Sequence, residues 1–200
     1  MNHKMKKMRK VTLLIAMGLF LMQPLSAQDA GGSVDYSNVK LFGAGISLGY
    51  YGYGWTGSRS IGFPPLNAHF ELGVHEYITV GPYVGFNRWN YRYTNWNYSW
   101  TFIHAGLRGS FHFTGILNEL LDGDIDESKL DLYVTLMSGL QLRNYSSTSP
   151  GFSDYYSNQI NFFLGPVAGM RYYFTDNLAI FVEGGYGSLG ALTVGLSTRF

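Results

Sequence analysis

The chain closes with Ala191-Leu192-Thr193-Val194-Gly195-Leu196-Ser197-Thr198-Arg199-Phe200, and the reading of this stretch decides the fold. Successive side chains of a β-strand point to opposite faces. Leu192, Val194, Leu196, Thr198 and Phe200 therefore share one face, and Ala191, Thr193, Gly195, Ser197 and Arg199 share the other. In a soluble sheet the apolar face would cover a core and the polar face would meet water. In a transmembrane barrel the directions are reversed: apolar side chains meet lipid, and small or polar ones fill the lumen.

The same alternation recurs seven more times, over Val39 to Tyr50, Leu66 to His75, Tyr77 to Asn87, Trp100 to Phe113, Leu130 to Arg143, Gln159 to Phe174 and Leu178 to Gly187. Segments of about 10 residues suit tilted strands that cross a bilayer. Charge separates barrel from sandwich. Glu71, Arg108, Asp131, Arg143, Arg171, Glu183 and Arg199 all fall on the polar face, and the exceptions, Lys40 and Arg88, sit at strand ends. Every second connection is short (His75-Glu76-Tyr77, Thr175-Asp176-Asn177), whereas the alternate ones run long and aromatic. That asymmetry is typical of outer-membrane barrels. Trp55, Trp89, Trp96 and Trp100 fall in or beside the first two long loops, which suits an aromatic girdle. The sequence thus predicts an all-β fold, an eight-stranded antiparallel up-and-down transmembrane β-barrel.

Composition excludes the competing classes. Only 14% of the 200 residues are charged and 17% are aromatic, against roughly 25% charged in a soluble domain. The longest apolar run, Val11 to Met22, is too short for a spanning helix, which needs about 20 residues. With 26 Gly, 16 Tyr and 14 Phe but no three-residue glycine period, the chain fits neither disorder nor collagen. Residues 1–27 read as a signal peptide: Lys4, Lys6, Lys7, Arg9 and Lys10, then the apolar run, then Leu25-Ser26-Ala27 as the cleavage site. The barrel domain is 28–200, and cleavage leaves 9 Lys and Arg against 13 Asp and Glu, a net charge of −4. No basic patch remains for nucleic acid. With no Cys, the exported chain has no disulfides to stabilise it.

At this point the chain resembles the small eight-stranded outer-membrane barrels: the outer-membrane protein A transmembrane domain, the outer-membrane protein X type and the opacity-like adhesins. The resemblance rests on the leader, the alternating final strand ending in Phe200, and Tyr172-Tyr173-Phe174-Thr175-Asp176-Asn177 leading into Phe181-Val182-Glu183-Gly184-Gly185-Tyr186-Gly187. It covers the whole mature chain and implies the outer membrane of a Gram-negative bacterium. It also implies that Phe200 is the signal read by barrel-assembly machinery. No peptidoglycan-binding domain follows Phe200, so that role of larger members is not expected.

An eight-stranded barrel is just wide enough to be filled by its own side chains, and charges buried there must be paired. Glu71, Asp131 and Glu183 are expected to pair with Arg108, Arg171 and Arg199, either as a structural ion network or as a gate for narrow conductance. His69, His75, His104 and His112 face the lumen in this register, at heights that do not converge on a metal. Ser110 and His112, with Glu71, raise a lipid A modifying hydrolase, but no nucleophile motif supports it. Thr114 to Leu121 reads as a short amphipathic helix with Ile116, Leu117, Leu120 and Leu121 on one side. The Asp122, Asp124, Asp126, Glu127 run after it departs from the calcium-loop pattern and reads as a solvated turn.

The outer loops mix aromatic with adaptable polar residues, as binding surfaces do. Tyr53, Trp55, Trp89, Tyr91, Tyr93 and Trp96 are the candidate contact residues, with Asn144 to Asn158 as a further loop. The expected protein is a non-enzymatic surface or structural barrel without cofactor or metal. Its expected partners are outer-membrane lipid and lipopolysaccharide, the assembly machinery, and an extracellular protein or glycan. A narrow gated channel is the alternative.

Overall fold

The computed structural model of the protein describes residues 34–48, 63–93, 96–148, 155–186 and 190–200. Over these the chain forms a closed barrel in which each strand pairs antiparallel with the next and the last pairs with the first. The strands are β1 (Lys40–Leu48), β2 (Phe63–His75), β3 (Ile78–Tyr93), β4 (Trp96–His112), β5 (Leu130–Thr148), β6 (Tyr155–Tyr173), β7 (Leu178–Gly185) and β8 (Leu192–Arg199). A 3-10 turn, Tyr36–Asn38, precedes β1, and one helix, α1 (Thr114–Leu121), lies between β4 and β5. Both ends of the barrel-forming chain and the β2–β3, β4–β5 and β6–β7 connections share one rim, here called the terminal end.

Alternation builds the barrel inside out relative to a soluble protein. Glu71, Arg171, Thr193 and Ser197 have no exposed surface, while Leu107, Ile160 and Phe162 are 59%, 67% and 70% exposed. The exposed apolar side chains belong to every strand, so the band runs around the whole circumference. A continuous apolar exterior with ionised groups inside is stable only in lipid, where the closed sheet also leaves no unpaired edge within the bilayer. The barrel is therefore transmembrane. Among the described residues no helix is long and apolar enough to cross a membrane.

The wall has two heights. β7 and β8 have 8 residues each, close to the membrane minimum, whereas β3, β4, β5 and β6 have 16, 17, 19 and 19. The excess, about 6 to 9 residues, raises a four-stranded sheet roughly 20–30 Å beyond the low wall at the far end. This corrects the sequence reading of Arg88 to Trp96 as a loop. β3 and β4 continue in unbroken register from Trp89↔Trp100 to Tyr93↔Trp96, leaving only residues 94–95 between them. The expected loop Asn144 to Asn158 likewise contracts, because β5 and β6 stay paired from Asn144↔Asn158 to Ser147↔Tyr155. Trp89-Asn90-Tyr91-Arg92-Tyr93 and Trp96-Asn97-Tyr98-Ser99-Trp100 still alternate, but their aromatic residues take the positions that carry lumenal residues lower in the strands, so the apolar-outward pattern stops before the strands do.

Two smaller differences arise at the terminal end. His75 is exposed, because a register shift between Gly73 and His75 turns the last residues of β2 out of the barrel alternation. In α1, Ile116 and Leu117 are half-buried but Leu120 and Leu121 are 74% and 72% exposed, so the four leucine-type positions do not share one covered face. Beyond α1 the acidic residues separate. Asp126 accepts from the Ser128 amide and pairs with Lys129 at 3.1 Å, and its hydrogen bonds with the Ser128 side chain hold its carboxyl below the usual range. Glu127 instead turns to the amide of Val34, 3.1 Å away.

Candidate functional site

The inward positions of the strands bring the chemistry together in the lumen. In its terminal half, five ionised groups form an alternating chain. Asp131 Oδ2 accepts from Arg171 Nη1 at 2.8 Å, Arg171 Nη2 donates to Glu71 Oε1 at 3.3 Å, and Arg108 Nη2 donates to Glu183 Oε1 at 2.7 Å. Arg108 Nε stands 3.2 Å from Glu71 Oε1 without hydrogen-bond alignment, a charge contact that links the two halves of the chain. All five residues are at most 3% exposed. Asp131↔Arg171 are direct cross-strand partners, but Glu71 meets Arg171 across the lumen, 100 residues apart in sequence.

Hydroxyl groups complete the layer. Glu71 Oε2 accepts from Thr79 at 2.7 Å and Ser110 at 2.5 Å, while Glu183 Oε1 accepts from the Tyr133 hydroxyl at 2.8 Å. The Arg171 guanidinium lies 3.9 Å over the Tyr133 ring. The two histidines beside the layer differ in hydrogen bonding. Thr79 has one proton and gives it to Glu71, so its oxygen accepts from His112 Nε2 at 3.0 Å; His112 Nδ1 faces Asp131 Oδ1 at 2.8 Å. Both ring nitrogens donate, which makes His112 the third cation opposite three carboxylates. His69 Nδ1 accepts from Arg108 Nη1 at 3.2 Å and is therefore neutral. The layer sums to zero charge.

Arg199 does not join this chain, which corrects its assignment as a partner of the lumenal acids. Its Nε donates to the Asp176 carbonyl at 2.7 Å, its Nη2 to the Ser128 carbonyl at 2.9 Å, and its guanidinium covers the Tyr173 ring at 3.9 Å. Lying at the end of β8, it ties together the rim of the terminal end.

That rim is closed by a segment the sequence reading passed over. Asp35 caps the 3-10 turn, accepting from the Ser37 amide at 2.8 Å and from the Ser37 hydroxyl. Tyr36, 5% exposed, stacks on His112 with ring centroids 3.8 Å apart and planes 11° apart. Its amide donates to the Glu76 carbonyl at 3.1 Å. A side chain at Gly73 would run into the Tyr36 carbonyl, so only glycine permits this approach. The signal available in the sequence was Asp35-x-Ser37 flanking a tyrosine just before the first strand.

Above the ionic layer, Tyr83, Met137 and Val167 form an apolar cluster with Phe163 packed against it. The far half of the lumen beyond that cluster is polar but poorly paired. Asn87, Phe102 and Arg143 lie in one cross-strand row, and Gly85, His104 and Gln141 in the next. Asn87 is 1% exposed, and neither its amide nitrogen nor its oxygen has a partner among the described residues. His104 Nδ1, Tyr83 Oη and Arg143 Nε are likewise buried and unpartnered.

Ser110 is bonded to Glu71 and to Thr135 (2.8 Å), and His112 to Thr79 and Asp131. The Ser–His contact a hydrolase needs is not made, and both side chains face the lumen rather than lipid. Of the contact residues, Tyr53 and Trp55 lie outside the described residues. Trp89, Tyr91, Tyr93 and Trp96 fall on the raised parts of β3 and β4, and beside them Trp100 packs on Tyr145 at 4.4 Å. Phe200 continues the β8–β1 ladder, its amide donating to the Lys40 carbonyl at 3.0 Å.

Solved structures similar to this chain include Ail, the attachment invasion locus protein of Yersinia pestis, at 15% identity and a TM-score of 0.46, covering 81% of this chain and 96% of that one. The N-terminal β-barrel domain of Pseudomonas aeruginosa OprF aligns at 17% identity and a TM-score of 0.46, covering 83% and 99%. Neisserial surface protein A aligns at 16% and 0.36, covering 80% and 92%. No protein-family model and no curated protein matches the chain. The barrel itself rests on the closed strand register and the inverted burial.

Proposed function

We propose that the protein is a non-enzymatic barrel of a Gram-negative outer membrane, exported by the leader 1–27, which works by contact at the cell surface. On this reading the terminal end faces the periplasm, and the raised sheet of β3–β6 stands outside. The observation that carries it is the height difference in the wall. Nothing in spanning a bilayer requires 16 to 19 residues per strand, so the excess is surface built for something other than anchoring. Its two margins, β3 beyond Arg88 and β6 before Pro166, have a ladder partner on one side only among the described residues. Its sequence is rich in aromatic and amide residues, Trp89, Tyr91, Tyr93 and Trp96 among them; Tyr53 and Trp55 are the further candidates outside the described residues. Such a mixture suits an extracellular protein or glycan partner.

The remaining partners follow from placement. Lipid and lipopolysaccharide surround the apolar band, and Phe200 is the residue the assembly machinery reads. The gated-channel alternative is disfavoured because the ionic layer and the Tyr83 cluster fill successive sections of the lumen.

Replacing residues 90–97 and 145–157 by short turns should leave a barrel that still shows heat-modifiable migration. Cells displaying it should lose adhesion to host-cell monolayers or immobilised glycans that the parent binds. Equal adhesion by the trimmed and parent proteins would contradict the proposal.

A further inference from the structure

We propose that the far half of the lumen, lined by Tyr83, Asn87, His104 and Arg143, binds a small organic anion whose carboxylate or phosphate group is held by Arg143, His104 and Asn87. Four observations carry this.

Among the described residues, most of the unpartnered buried polar atoms there are donors, Asn87 Oδ1 being the one carbonyl oxygen among them. Arg143 Nη2 donates to Gln141 Oε1 at 3.3 Å, which fixes that amide so that its nitrogen donates to His104 Nε2 at 2.8 Å. His104 therefore carries its proton on Nδ1, a buried donor with no protein acceptor. Arg143 Nε, Asn87 Nδ2 and Tyr83 Oη are three more. Leaving a buried donor unmet is destabilising, and one anionic group with several lone pairs satisfies such a set.

Charge points the same way. Every described Asp and Glu lies in the terminal half of the barrel or at its rim, and the three in the lumen are already balanced. Among the described residues Arg143 pairs with no carboxylate; its contacts are Gln141 and, at 5.4 Å, the Phe102 ring. A guanidinium without a carboxylate partner is the usual receptor for carboxylate or phosphate.

The lining also supplies aromatic faces for the body of an organic ligand. Phe163 lies 5.5 Å from the His104 ring and 6.0 Å from the Tyr83 ring, closing the floor, and Phe102 stands between Asn87 and Arg143 in the row above.

Finally, there is a way in. β7 ends at Gly185, opposite Val167, so the wall is low where β6 continues upward. Gln159 and Asn161, on the same side of β6 as lumenal Phe163 and Gly165, are exposed there.

The test is calorimetric titration of the refolded protein in detergent micelles with glucuronate, with inorganic phosphate, and with glucose as the neutral control. Saturable binding of glucuronate or phosphate at one site per chain, without glucose binding, is the expected result, and the better of the two identifies the group. Arg143→Gln should weaken that binding at least tenfold, as expected for loss of a charged hydrogen-bonding partner. Asn87→Ala should weaken it severalfold, and Arg88→Gln, an exposed cation outside the lumen, should leave it unchanged. Heat-modifiable migration confirms that each variant is folded. Binding of neither anion by the parent, equal binding of glucose, or full binding by Arg143→Gln would each overturn the proposal.

Discussion

The two halves of the lumen are lined by the same eight strands under the same alternation, yet they are built on opposite terms. In the terminal half every charge has an opposite charge within 3.3 Å, and Glu71 alone is touched by two guanidiniums and two hydroxyls. In the far half a guanidinium, an amide, an imidazole and a phenol all keep buried atoms without protein partners. The difference separates two jobs of a small barrel. A charge-paired layer fixes the cross-section and seals it, although Arg108 Nε, Arg171 Nε and His69 Nε2 lack hydrogen-bond partners there too. The far half differs in its charge: Arg143 meets no carboxylate among the described residues, which suits a site for an anion.

The largest effect that follows is on the sealed half. Glu71→Gln removes the charge shared by Arg108 and Arg171, and leaving those guanidiniums undercompensated should cost roughly 3–5 kcal/mol. Urea unfolding in lipid vesicles should show the midpoint falling accordingly; an unchanged midpoint would break the contrast between the halves.

A second loss, roughly 2–4 kcal/mol by analogy with other buried aromatic truncations, is expected for Tyr36→Ala, which uncovers His112. Gly73→Ala should reproduce much of it, since its methyl takes the place of the Tyr36 carbonyl.

In the open half, Arg143→Gln gives up the hydrogen bond to Gln141 but no ion pair, and should cost about 1 kcal/mol or less. A loss as large as that of Glu71→Gln would show that the far half is also a structural layer.

The smallest effect is at the rim. The Ser37 side-chain hydrogen bond holds the Asp35 carboxyl below its ordinary value of 3.8. The folded value is lowered, so this contribution is complete above the unfolded value and is lost as pH falls through the lower folded one. Hydrogen exchange at the Ser37 amide should quicken only below about pH 4.

What the sequence disclosed follows from which properties are local. Alternation is local, so all eight strands and the inward placement of Glu71, Arg108, Asp131, Arg171 and Glu183 could be read from it, as could the helix at Thr114–Leu121. The tops of β3 and β4 could not, because their alternation changes sense there, with aromatic residues at the lumenal parity and Asn, Arg and Ser at the other. His75 was misplaced by a single register shift, and Arg199 by its position at a strand end, where its long side chain reaches rim carbonyls rather than the lumen. Tyr36 and Tyr133 enter the ionic layer through contacts between segments far apart in the chain, which no spacing connects, whereas Thr79 reaches Glu71 within the β2–β3 hairpin. The unpartnered atoms of the far half are a property of side-chain packing and have no signature in the sequence.

The seal at the terminal half is tested most directly by single-channel recording of the refolded protein in planar bilayers. With Arg108, Arg171 and Tyr133 buried across the section and Tyr36 covering it, the bilayer is expected to stay silent while heat-modifiable migration shows that the barrel has folded. Reproducible conductance steps from the folded protein would contradict a lumen closed by its own charge-paired layer.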